Sequence, residues 1–140
     1  MAGIVVGVDG SDNSIDALRW AAAEARLRGS VLHAVTSFAP GLLSTGYEMA
    51  LPDPADFAAA SNLMLNAAVD TVRETVNLEG IDIVTEVLEG HAGEVLIKLS
   101  ETAELVVVGS RGRGGFVGLV MGSITNHVVN HAKCPVVVVR

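Results

Sequence analysis

The sequence predicts a doubly wound α/β domain, with a five-stranded parallel sheet in the order 3-2-1-4-5 and helices on both faces. Two observations predict the class and a third the order. Short apolar runs alternate with amphipathic stretches along the whole chain, which is the pattern of βαβ units. With 140 residues, half of them hydrophobic and only 4% aromatic, the chain can bury one aliphatic core as a single domain, residues 1–140. The unusual turns follow the first and fourth apolar runs, and ligands in open α/β sheets bind where the strand order reverses. Strands one and four are therefore expected to be neighbours at that switch point. A flavodoxin-like order would put the crevice between strands one and three, where the residues offer less.

The elements follow in order. Strand one is expected over about residues 3–8, before the turn Gly7-Val8-Asp9-Gly10-Ser11. Ser11 or Asp12 can cap the first helix, whose inner face reads Leu18, Ala21, Ala22 and Ala25 until Arg28-Gly29 ends it. Strand two covers about 31–37. The stretch from Phe38 to Pro54 has no clear period and contains four prolines and glycines besides Pro54, so it reads as a long loop on the ligand edge of the sheet. A second helix over about 55–78 carries Leu65, Ala68, Val69, Val72 and Val76 at helical spacing, closed by Glu79-Gly80. Strand three is expected over about 81–88, a short helix over about 92–101, strand four over about 104–108 and strand five over about 135–139. A last helix runs up to Lys133.

Charge and cysteine usage narrow the function. A net charge of −7 argues against nucleic acid and against an anionic membrane surface, both of which need clustered Lys and Arg. The single cysteine excludes an internal disulfide and fits a reducing compartment. No basic leader and no long apolar span is visible, so a soluble cytoplasmic protein is expected. Against that acidic background, Arg111 and Arg113 lie together in a glycine-rich stretch, which suits an anionic ligand.

That stretch is the chemical signal. Gly109-Ser110-Arg111-Gly112 follows the buried run Leu105-Val106-Val107-Val108, and nine residues later Gly122-Ser123-Ile124 opens a helix. Glycine lets the backbone approach an anion, and the N–H groups and partial positive charge of a helix start hold it. The first turn is not G-x-G-x-x-G, and no G-x-x-x-x-G-K-[ST] exists, so neither a dinucleotide fingerprint nor a P-loop lysine is present.

The spacing G-x-x-G-x9-G-[ST] is similar to the ATP-binding signature of the universal stress protein family. Val6-Gly7-Val8-Asp9-Gly10-Ser11 resembles that family's first strand and turn, and His131-Ala132-Lys133-Cys134-Pro135 with four valines resembles its end. The resemblance runs from residue 4 to Arg140. It implies a Rossmann-like sheet of the same order, ATP with Mg²⁺ as ligand, Asp9 on the nucleotide, and the Val35 backbone at the adenine. Gly7 leaves room for the base, Gly109, Ser110 and Gly112 approach the phosphates, and Gly122, Ser123 and Ile124 receive them, with Ser123 available to the metal ion. The family pattern does not fix Arg111 and Arg113, which are candidate phosphate contacts.

Other residues carry less. Asp9 can equally serve the start of the first helix, and Ser123 can be an ordinary cap. His127 and His131 are four apart on one helix face, but no third ligand is evident in the sequence. Cys134, His33 and His91 default to structural or surface roles. With no placed triad or carboxylate pair, the chain reads as a nucleotide-binding regulator, not an enzyme. The rivals are a slow ATP hydrolase, and an interaction module that binds another adenine nucleotide or none. Strand five, an apolar edge strand without lysine, must be covered, and a homodimer through that strand is expected. The resemblance implies the same dimer.

Overall fold

The computed structural model describes residues 3–39, 54–111 and 121–140. Nine elements alternate along the chain: β1 (Ile4–Gly7), α1 (Asp12–Arg28), β2 (Leu32–Phe38), α2 (Pro54–Arg73), β3 (Ile83–Glu89), α3 (Ala92–Ser100), β4 (Leu105–Gly109), α4 (Ser123–His131) and β5 (Val136–Val139). The five strands form one sheet in the order β3-β2-β1-β4-β5, and every neighbouring pair is parallel. The expected order is observed, with β1 and β4 side by side at its centre.

The central strands are apolar without alternation because both faces are covered. Ile4, Val5 and Val6 of β1 and Val106 and Val107 of β4 are fully buried. Residues such as Ile4, Val6, Leu32 and Val107 face α1 and α2, while Val5, Val35, Val106 and Val108 face α3 and α4. Burial of each such side chain contributes about 1.5–3 kcal/mol. Alanines on α1 let that helix lie close to the sheet: Ala17, Ala21, Ala22 and Ala25 are all buried with Leu18.

Both ends of α1 are fixed by local chemistry. The Ser11 side chain accepts the Ser14 N–H, and Gly29 closes the helix in the left-handed region at φ 64°, where glycine carries no penalty. Ser11, not Asp12, is therefore the cap. The second helix stops at Arg73, short of the expected residue 78. There the Glu74 N–H is shared between the Asp70 and Thr71 carbonyls, and the Thr75 N–H turns to the Val72 carbonyl three residues back, so the regular ladder gives way. Val76 still packs against the core from the turn beyond. The expected long loop lies, from 40 to 53, outside the described residues. Among the described residues no helix is long and apolar enough to cross a membrane.

Candidate functional site

A cleft of roughly 630 Å³, counted with its solvent-open part, lies beyond the carboxyl ends of β1 and β4. Gly7, Asp9, Val35, Gly109, Arg111 and Ile124 all line it, so six of the expected residues meet at the switch point. Gly112 and Arg113 lie outside the described residues. A second hollow, walled by His91, Gly93, Glu94, Ser123 and His127, adjoins the cleft and shares Ser37, Ala92 and Ile124 with it.

The floor of the cleft comes from strand lengths. β1 pairs with β2 only as far as Gly7 opposite Val35, whereas β2 continues beside β3 to Phe38. The backbone groups of Ser37, which alternate with those of Val35 toward the β1 side, are thus left open to the cleft, a polar edge that the sequence did not single out. The Val35 carbonyl itself accepts the Val8 N–H at 2.8 Å, so strand pairing uses it. The missing side chain of Gly7 admits Leu96: a Cβ there would lie 3.0 Å from a Leu96 methyl. Gly7 lines the cleft, and Leu96 of α3 stands beside it as part of the wall.

Asp9 faces the cleft and organises the turn. Its Oδ1 accepts the Ser11 N–H at 2.9 Å and the Ser11 hydroxyl at 2.5 Å, while Ser11 caps α1. The Ser14 hydroxyl donates to the Ser11 carbonyl at 2.9 Å and accepts the Asp9 N–H at 3.3 Å. Asp9 thus supports the turn and also lines the cleft.

The start of α4 is bound back onto β4. Gly122, in extended backbone at φ −71° and ψ 164°, is the N-cap and contributes no side chain to it. Its N–H donates to the Ser110 carbonyl at 2.7 Å, and the Thr125 hydroxyl donates to the Gly109 carbonyl at 2.6 Å. The Gly122 N–H is therefore spent on the fold. What the helix offers an anion are the N–H groups of its first turn, led by Ser123 and Ile124, which have no intrahelical partner. Ser123 is the first helical residue and not the cap.

Gly109 is required for a neighbour. A Cβ at this position would lie 2.7 Å from Asn13 Oδ1 and 3.1 Å from the Asn13 carbonyl. Gly109→Ala is expected to destabilise the fold by about 1–3 kcal/mol through overpacking, read as a lower urea midpoint at unchanged slope. Asn13 was not among the residues expected to matter; its only signal was an amide in the first helical turn.

His127 Nε2 lies 2.9 Å from Glu94 Oε1, and His131 Nδ1 lies 2.9 Å from the His127 carbonyl. A carboxylate thus does approach the histidine pair, from α3. Even so, no group of three or more His, Cys, Asp or Glu among the described residues could hold a metal ion. A side chain at Gly93 would collide with the His127 ring, at 2.9 Å. His33 is buried, 3.6 Å from Glu86 Oε1. Burial raises the Cys134 thiol above its ordinary pKa, against a smaller lowering by the Val106 backbone, so the thiolate is disfavoured.

The model of the universal stress protein family matches residues 2–140. A universal stress protein of Mycolicibacterium smegmatis is 34% identical over 99% of the chain and 48% of its own length. One from Mycobacterium tuberculosis is 32% identical over the whole chain and 48% of its own length. The chain spans about half the length of the curated relatives it matches. Among solved structures, a universal stress protein in complex with cAMP is similar with a TM-score of 0.73 and 26% identity, covering all of this chain and 96% of that one. Another, from Archaeoglobus fulgidus in complex with dAMP, has a TM-score of 0.71 and 26% identity, covering 100% and 98%.

Proposed function

The chain belongs to the universal stress protein family, and from that premise we propose that it is an ATP-binding regulator. The observation that carries the proposal is the meeting of Gly7, Asp9, Val35, Gly109, Arg111 and Ile124 around one cleft at the switch point. The base belongs against the open backbone edge at Ser37, just beyond Val35, and the ribose at Asp9. The phosphates belong at the glycine-rich stretch that begins at Gly109 and Arg111 and at the first turn of α4, with Ser123 available to Mg²⁺. Uncapped N–H groups and an arginine at one end of an apolar cleft favour a ligand with an apolar body and an anionic tail.

Among the described residues the cleft brings together no nucleophile with a base and no group placed to orient a water, which supports ATP hydrolysis that is at most slow. Occupancy acts by changing the surface around the β4 loop that a partner protein meets. A second reading, another adenine nucleotide, draws support from the similar structures solved with cAMP and dAMP. Mass spectrometry of nucleotide released from protein purified without added ligand separates the two. ATP in the released fraction supports the first reading and an adenosine monophosphate the second, while a guanine nucleotide overturns both.

A homodimer through β5 completes the proposal. β5 ends the sheet, and all four of its valines remain partly accessible. An apolar edge without an inward charge pairs readily with another edge. A second copy meeting it in an isologous contact removes that hazard. Val137→Lys or Val138→Lys is expected to shift a micromolar dimer toward monomer or insoluble protein. Light scattering checks this, and a monomer mass for the unmutated chain over the same range contradicts it.

A further inference from the structure

The root of the β4 loop and the end of β5 meet on one side chain of α1. Asn13 Nδ2 donates to the Val139 carbonyl at 3.0 Å. Its Oδ1 accepts the Arg111 N–H at 2.7 Å and the Ser110 hydroxyl at 3.3 Å. The same Val139 carbonyl also accepts the Ser110 N–H at 2.8 Å. Glycine at 109 makes this approach possible, since a Cβ there would meet Asn13 Oδ1.

The chemistry calls for an amide. One side must donate to a carbonyl and the other accept from an N–H, and a primary amide presents both in one plane. Asn13 is not needed for capping, because Ser11 caps α1. Its partners lie 98 and 126 residues away in sequence, so the amide closes three distant segments into one unit. Arg111 lines the cleft, and Val139 is the last residue of the edge strand.

We infer that Asn13 is a positioning residue that joins the β4 loop to the end of β5, so that a ligand in the cleft and order in the edge strand are energetically linked. The ligand arm of this inference rests on the nucleotide reading above. The joint itself does not. If ATP holds Arg111, Asn13 transmits the restraint to Val139, and by reciprocity a restraint on β5 favours the occupied cleft.

Two variants divide the contacts. Asn13→Ala removes both arms. Asn13→Asp keeps an acceptor for the Arg111 N–H but replaces the donor to Val139 with a second oxygen facing a carbonyl. Amide hydrogen exchange by NMR, with and without saturating ATP, reads each arm. Without ligand, Asn13→Ala is expected to speed exchange of the Ser110 and Arg111 amides by about tenfold or more, with β1 and β2 amides unchanged. Asn13→Asp should speed Ser110 and leave Arg111 protected, and it carries the test if the alanine variant does not fold. In the unmutated protein ATP should slow exchange of the β5 amides, and in Asn13→Ala occupied by ATP it should not. Unchanged Ser110 and Arg111 exchange in Asn13→Ala, or uniform acceleration across the sheet, overturns the joint. Equal ATP protection of β5 in both proteins overturns the linkage. Should the unmutated protein bind no ATP while the ligand-free pattern holds, the joint stands and the nucleotide reading falls.

Discussion

Gly122→Glu is expected to abolish ATP binding, by a hundredfold or more, while the fold is kept. Gly122 has φ −71° and ψ 164°, extended backbone open to any residue, so a side chain here brings no backbone strain. Its N–H bond to the Ser110 carbonyl does not involve the side chain and survives the change. A carboxylate at a helix N-terminus even gains from the helix dipole. The same charge would stand where a phosphate is expected, and two unit charges at 4 Å repel by about 4 kcal/mol at an effective dielectric of 20. Circular dichroism checks the fold and calorimetric titration the binding. Unchanged affinity in a folded variant would remove the phosphate assignment at α4.

Asp9→Ala is expected to act twice. The variant loses the acceptor for the Ser11 N–H and hydroxyl, the contacts that hold the cap of α1. Hydrogen bonds to a charged group contribute about 1.5–3 kcal/mol each, and part is regained by solvation at this partly exposed turn, so a net loss of about 2 kcal/mol is expected. The melting temperature should fall by several degrees. If the carboxylate also holds the ribose, ATP affinity falls by about 1–3 kcal/mol beyond the loss of stability. Thermal melts and titrations on one preparation separate the two effects. Lost stability with full affinity assigns Asp9 to the turn alone.

The strands, the inner face of α1 and the central pair β1–β4 were legible because hydrophobic burial is written locally, in runs and periods. The switch-point argument worked because its cue, unusual turns after two strands, is also local. The end of α2 was not, since Val76 and Leu78 continue the apolar pattern past the point where the Glu74 N–H divides between two carbonyls and the Thr75 N–H bonds only three residues back. Asn13 was invisible because its partners are brought to it only by the finished sheet. Gly109 shows the ambiguity of glycine: its place in a phosphate-binding spacing suggested ligand approach, while the structure shows the approach of Asn13. The pairing of Glu94 with His127 was likewise hidden, as it depends on α3 and α4 packing together.

The central claim is that the β1–β4 cleft holds an adenine nucleotide by its phosphates and its base. Its most direct test is an NMR titration of nucleotide-free protein with Mg²⁺-ATP, with Mg²⁺-GTP as control. ATP should shift the amides of Asp9, Ser37, Arg111, Ser123 and Ile124 together, with one affinity, and GTP should shift them weakly or not at all. Millimolar ATP that leaves those amides unmoved, or moves a set elsewhere on the sheet, contradicts the account.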